Sequence, residues 1–396
     1  MAVEPGTMNP FAPRKPLPLP LFFTILLLML GSCSKPTTTD PAWQWQLPEG
    51  MPLPVVPAEN PMSQAKVELG RYLFYDKQLS ANGKQSCASC HQQQFAFAEP
   101  TDRSVGSTGQ QHRRNALALV NVAYNNRLTW AHDGLTDIEQ QLLIPLFSET
   151  PVELGLTGAE PQLMQRLKKP PYPQLFQQAF NSEQPDMQQV VFALASFVRS
   201  LLSFQSEFDR YAYQNEDEAL SPLQIEGMNL FFSERLECHH CHGGFNFTQA
   251  TSHSQQLLDL RPFHNTGLYY AARPGQAEAG YPQHDRGLAE LTMNSTDDGR
   301  FRAPTLRNIA LTAPYMHDGS LTTLEQVLDF YQAGGRTITA GRYAGDGRHH
   351  PAKSQFVRGF QLTDSEREAV LAFLNSLTDP QFIANPEHSN PWLAHP

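Results

Sequence analysis

The sequence predicts a mainly α-helical protein built from two diverged copies of one plan. Three observations predict it. Apolar residues recur at helical spacing in the longer segments, strand-like alternation is scarce, and a block ending in Cys-x-x-Cys-His occurs twice. The length of 396 residues fits two domains. A chain with 17% charged and 40% hydrophobic residues has a globular composition, too apolar for a disordered chain. Net charge is −10 without a basic block, which argues against nucleic acid as a partner.

Residues 17–30, LPLPLFFTILLLML, follow Arg14 and Lys15. This apolar run is shorter than the roughly 20 residues that cross a bilayer, so it reads as a secretory signal. It ends Leu30-Gly31-Ser32-Cys33, which resembles a bacterial lipobox in which Cys33 is lipidated. Residues 1–33 are therefore expected to be a lipoprotein signal peptide, and the only membrane contact a lipid anchor. Ser34 leans, by analogy, toward the outer rather than the inner membrane. Residues 34–60 carry repeated prolines and are expected to form a semi-rigid tether. The N-terminal domain is placed at 61–212 and the C-terminal domain at 213–396.

The repeat joins VELGRYLFYDKQLSANGKQSCASCH (67–91) to IEGMNLFFSERLECHHCH (225–242). Downstream, 114–140 parallels 305–326, and His-Asp-Gly recurs at 132–134 and 317–319. Capping boxes are expected at Thr136/Glu139, Thr322/Glu325 and Thr363/Glu366. Between the copies, Val191, Leu194, Ala195, Val198, Leu201 and Leu202 predict a buried amphipathic helix within 185–211. A last helix is expected over about 364–377. The second copy carries an insertion rich in Gly, Asn and Tyr at 243–300, a length at which loops are often functional.

Cys87-Ala88-Ser89-Cys90-His91 and Cys238-His239-His240-Cys241-His242 each match covalent c-type haem attachment. Two thiols at this spacing add to the two vinyl groups of the porphyrin, and the adjacent His ligates iron. One zinc site made by all four cysteines is the alternative. The pairs are about 150 residues apart, against the roughly 15–20 of a compact zinc module. A thioredoxin-like role lacks the strand–helix alternation. One covalent haem is therefore expected in each copy. His239 and His240 are expected to face solvent or to lie behind the ligands.

With both motifs, Arg114-Asn115 and the block from Ala303-Pro304-Thr305-Leu306-Arg307-Asn308 to His317-Asp318-Gly319, the chain resembles the bacterial dihaem cytochrome c peroxidase and MauG superfamily over about 61–380. The stretches 60–80, 148–155 and 233–248 resemble its methanobactin-associated, MbnH-like branch. The resemblance implies two cytochrome-c-like haem domains, with a peroxide-reactive N-terminal haem, a six-coordinate C-terminal haem and Ca²⁺ between the domains. It implies Tyr331, fourteen residues after His317, as the second axial ligand where peroxidases of the family use Met. A phenolate stabilises ferric and higher oxidation states, whereas a thioether stabilises ferrous iron. Tyr331 also continues a Leu324, Val327, Leu328 stripe, the pattern of a core residue. Met316, Met293 and Tyr315 are the competing ligands.

By the same resemblance Glu153 is the distal acid–base and Gln141 its companion, with Glu149 as the alternative to Glu153. Trp130 is the inter-haem relay, with His132 its rival. Asn115, Thr312 and Pro314 are the Ca²⁺ residues, a hard oxygen set. Ser107 stands where some peroxidases carry a loop His on the iron, and His112 nearby reads as a surface residue. His317 is expected near the second haem without ligating it.

The function implied is reaction with hydrogen peroxide, a high-valent, bis-Fe(IV)-like state, and oxidation of a residue on a periplasmic partner. The MbnH-like stretches imply a Trp on an MbnP-like copper-binding protein, converted to kynurenine. A peroxide-detoxifying cytochrome c peroxidase and a non-catalytic dihaem electron-transfer protein are the alternatives.

Overall fold

Two helix pairs, one in each half of the chain, cross at a glycine. The computed structural model describes residues 43–256, 260–276 and 278–393, so the leader and Cys33 lie outside the described residues. The helices that frame the molecule are α1 (Gln64–Tyr75), α2 (Ile138–Phe147), α3 (Met187–Ser200), α4 (Pro222–Phe231), α5 (Leu324–Gln332) and α6 (Asp364–Asn375). In the first half α1 packs on α3, and a Cβ at Gly70 would lie 2.0 Å from the Ala193 carbonyl oxygen. In the second half α4 packs on α6, and a Cβ at Gly227 would lie 1.9 Å from the Ala369 carbonyl oxygen. No side chain fits at either crossing, so Gly is required there by close approach. The same device at corresponding positions is the internal repeat in three dimensions.

Caps start these helices where the sequence offers them. Ser63 accepts from the Lys66 amide at α1, and Asp186/Gln189, Ser221/Gln224 and Thr363/Glu366 form capping boxes at α3, α4 and α6. Two expected boxes are displaced. At α2 the N-cap is Asp137, and Glu139 instead receives both a 2.8 Å bidentate pair from buried Arg199 and a bond from Asn60. At α5 the N-cap is Thr323, while Thr322 donates to the Gln326 side chain.

The single helix expected within 185–211 is two. α3 ends at Ser200, and a second helix, Glu207–Tyr213, starts at a Ser206/Asp209 capping box. Between them the amides of Ser203 and Gln205 turn to the side chains of Asn121 and Asp379. Those tertiary acceptors outcompete continuation of the helix.

The first core gathers Leu69, Leu73, Phe74, Phe97, Leu194 and Phe197; the second gathers Phe231, Phe247, Val370 and Phe373. Phe382, from the C-terminal segment, packs into the first core. The insertion 243–300 adds a third cluster of Leu268, Tyr269, Tyr281 and Phe301, tied at Asp298 to Arg273, Arg286 and His350. Among the described residues the strands form two short antiparallel pairs, Phe263–His264 with Phe301–Arg302 and Thr337–Ile338 with Gly345–Asp346. The described part of the Pro-rich segment lies against the body, which modifies the expected tether. Asn60 is buried, the Pro52 carbonyl accepts from the Tyr124 hydroxyl, and Trp43 packs on the first core.

Candidate functional site

In each half the Cys-x-x-Cys-His segment forms one helical turn, Cys87–Cys90 and His239–His242. His91 Nδ1 lies 2.8 Å from the Phe97 carbonyl, and His242 Nδ1 lies 3.1 Å from the Phe247 carbonyl. A carbonyl only accepts, so each Nδ1 carries the proton and each Nε2 is left as a lone-pair donor. Phe97 and Phe247 have φ of 60° and 49°, left-handed conformations that turn the carbonyl back onto the ring. Burial pushes both His pKa values down, keeping the rings neutral as metal ligation needs.

Cys87, Cys90 and His91 line one cavity, and Cys238, Cys241 and His242 line another. The pairs never meet, so the single four-cysteine zinc site is ruled out. Burial pushes the thiols up to about 12 at Cys87, Cys238 and Cys241 and about 11 at Cys90. These sulfurs stand in for thioethers once haem is attached.

Gln141, Glu153, Pro145, Pro151 and Leu142 form part of the first cavity's wall, on or just after α2. After α2 the chain folds back, with the Leu154 amide on the Pro145 carbonyl and the Leu156 amide on the Leu146 carbonyl. This return brings Glu153 into the cavity while Glu149 stays exposed. Burial alone pushes the Glu153 carboxyl up to about 7. His112 lines the same cavity, with Nδ1 3.9 Å from Glu153 Oε1 and 17% of its side chain exposed. The surface reading of His112 is thus corrected. The 104–112 loop packs against 151–155 so closely that a Cβ on Gly106 would lie 1.7 Å from the Val152 carbonyl oxygen. Ser107 meets the Glu153 backbone, its amide donating to that carbonyl at 2.7 Å.

The second cavity is walled by Leu324, Val327, Leu328 and Tyr331 from α5, with Val370 and Leu374 from α6. The apolar stripe on α5 is therefore a cavity wall, and Tyr331 belongs to it. Burial raises the Tyr331 phenol, with the neighbouring Cys241 and Cys238 adding to the rise. Its hydroxyl makes no hydrogen bond among the described residues. Of its rivals, Met293 is 83% exposed and Tyr315 donates its hydroxyl to the Ile309 carbonyl at 3.0 Å; Met316 shares the cavity. His317 is buried in the same wall, stacked on Phe301 at 3.8 Å.

Trp130 and Arg302 line both cavities. Trp130 Nε1 donates to the Asn115 carbonyl at 2.8 Å, and the Arg302 amide donates to the Trp130 carbonyl at 2.7 Å. His132 lines neither cavity among those described, and its Nδ1 accepts from the Gly134 amide. Arg302 is a residue the sequence reading missed. It is buried, with its pKa pushed down to about 10, and has no carboxylate within ion-pair distance among the described residues. Its position just before the Ala303-Pro304 block was the available signal.

Three features test whether haem suits these cavities. Gln141 Oε1 in the first and His264 Nε2 in the second are buried without a partner. The guanidinium of Arg302, whose Nε donates to the Thr129 carbonyl at 2.8 Å and which has no carboxylate partner among the described residues, suits an anion such as a propionate. Each cavity also carries the two cysteine sulfurs and the motif histidine, His91 in the first and His242 in the second. The residues fit two c-type haems. Asn115, Thr312 and Pro314 border a third, smaller cavity beside Trp130. The carbonyls of Thr312 and Pro314 accept no hydrogen bond among the described residues.

The family profile described as di-haem cytochrome c peroxidase matches residues 64–218. Cytochrome-c peroxidase IdrP1 of Pseudomonas sp. (strain SCT) is 32% identical over 380 residues, 92% of this chain and 93% of that protein. Methylamine utilization protein MauG of Methylorubrum extorquens is 31% identical, covering 94% of this chain and 99% of its own. The crystal structure of a MauG-like protein associated with microbial copper homeostasis superposes with a TM-score of 0.84 at 43% identity, covering 89% of this chain and all of that one. The diheme peroxidase BthA from Burkholderia thailandensis shares the fold, with a TM-score of 0.60 at 22% identity.

Proposed function

The chain belongs to the di-haem cytochrome c peroxidase and MauG family, and on that premise we propose that it is an exported enzyme that uses hydrogen peroxide to oxidise a residue of a partner protein. The observation that carries this reading is Tyr331 in the wall of the second cavity, with Trp130 shared between the two. When bound, haem supplies peroxide activation and storage of the oxidising equivalents.

His91 and His242 would hold the two irons through Nε2, and Tyr331 would supply a further ligand in the C-terminal site. Glu153, with its carboxyl pushed up to about 7, takes the proton from one peroxide oxygen and returns it to the oxygen that leaves as water. Gln141 orients peroxide with its unpaired amide oxygen. Trp130 carries charge between the sites. Asn115 and the free carbonyls of Thr312 and Pro314 hold Ca²⁺ and brace the wall beside Trp130. The peroxide-reactive domain is 61–212 and the electron-relaying domain 213–396.

The partner is a copper-binding protein, by the likeness to the copper-homeostasis structure, and the oxidised residue is a Trp. Two peroxides convert Trp to N-formylkynurenine with release of two waters, and hydrolysis then releases formate to leave kynurenine. No described helix is long and apolar enough to cross a membrane, and export as a Cys33-anchored lipoprotein of the outer membrane completes the reading.

The test is peroxide treatment of the holoprotein with a copper-binding partner, followed by peptide mass spectrometry. A partner Trp converted to kynurenine is the expected result. Rapid peroxide turnover with electrons from a small redox protein, and no modified partner, would instead select peroxide detoxification. The likeness to cytochrome-c peroxidase IdrP1 favours that second reading.

A further inference from the structure

His239 and His240, the two residues between the cysteines of the second motif, do not simply face solvent. The turn after α4 carries Glu234 and Glu237 back beneath them, with Glu237 held at φ 61°. Glu234 Oε1 lies 3.4 Å from His239 Nε2, and Glu234 Oε2 lies 3.4 Å from His240 Nε2. Among the described residues this is the one group of three or more such side chains whose donor atoms lie within 4.8 Å of one another.

The distances are informative. With metal–nitrogen bonds of about 2.1 Å, adjacent ligand atoms of a tetrahedral ion are about 3.4 Å apart. The Glu234–His240 contact is in addition a long hydrogen bond, and Glu237 Oε2 lies 2.7 Å from His240 Nε2 as an ion-pair contact without a hydrogen bond of its own. We propose that Glu234, His239 and His240 form a site for a borderline divalent cation, Zn²⁺ or Cu²⁺, on the rim of the second haem site. Two imidazoles and one carboxylate suit these ions, and three protein ligands leave a position for water. Glu237, buried and paired through its other oxygen with Arg358, remains as a compensating negative charge. The His240 ring is stacked on Phe356 at 4.1 Å, which limits its rotation.

The corresponding positions in the first motif are Ala88 and Ser89, so the site belongs to the second copy alone. It is separate from haem attachment, which uses Cys238, Cys241 and His242.

The experiment is titration of the haem-loaded protein with Zn²⁺ alone, followed by calorimetry, and zinc-edge X-ray absorption to count His ligands. One Zn²⁺ per chain with two imidazoles is expected. Glu234→Gln, outside the haem motif, should weaken binding at least tenfold, and His239→Ala/His240→Ala should abolish it, with haem content checked in both. Should the double variant fail to load haem, Glu234→Gln decides. Equal zinc affinity in the native protein and Glu234→Gln, or no zinc bound by the native protein, overturns the site whether or not the peroxide reaction proceeds as proposed.

Discussion

The two cavities are built alike and furnished differently. Each has a one-turn Cys-x-x-Cys-His helix, a His whose Nδ1 is anchored on a carbonyl, and a helix pair crossing at glycine. Past that shared frame they part. The first cavity holds Glu153 and His112, groups that can bind and release protons, with the amide of Gln141 beside them. The second is walled by Leu324, Val327, Leu328, Phe360, Val370 and Tyr331, and its lining carboxylate, Glu237, is paired with Arg358 and His240. A duplicated scaffold thus yields one cavity with a carboxyl group raised by burial and one walled mainly by apolar side chains.

Removing the proton chemistry should break the contrast most strongly. Glu153→Gln is expected to slow the peroxide-dependent spectral change by roughly 10²–10⁴-fold in stopped-flow measurements, while Glu149→Gln leaves it as it was. Burial disfavours the charged carboxylate, so Glu153 is an acid below about pH 7 and a base above it. The native rate should therefore rise with pH through about 7, and the Gln variant should lack that step. An unchanged rate in Glu153→Gln would falsify the assignment of the distal base.

Exchanging the ligand of the second cavity comes next. Tyr331→Met is expected to keep both haems and raise the potential of the second, within the roughly 0.8 V that axial ligands span. Partner oxidation should be lost. A redox titration with no shift would return Tyr331 to a packing role. Trp130→Phe should weaken coupling between the sites with a smaller loss of partner oxidation, and full retention would move the relay elsewhere.

The smallest effect tests the likeness rather than the difference. Gly70→Ala and Gly227→Ala each force a helix pair apart, at a cost of about 1–3 kcal/mol. Thermal unfolding should show comparable losses for the two. A loss confined to one half would mean that the crossings are not equivalent.

Much of this was legible in the residues. Covalent attachment fixes the identity and order of Cys-x-x-Cys-His, so the haem motifs stand in the sequence without any fold. The repeat and the Thr363/Glu366 cap were equally local. The stripe on α5 was visible but ambiguous, because a wall facing a cofactor and a wall facing other side chains share one periodicity. Glu139 was misread as a cap because its partner, Arg199, is 60 residues away.

The sequence by itself determined the two attachment sites, the helical class and the duplicated plan, since each rests on spacing along the chain. Only the tertiary structure decided that Glu153 rather than Glu149 enters the first cavity, that Trp130 and Arg302 are a common wall, and that His112 is half-hidden beside Glu153. It also decided that His239 and His240 converge on one carboxylate. Those facts depend on which side chains the folded backbone brings within a few ångströms, and chain spacing carries no record of that distance.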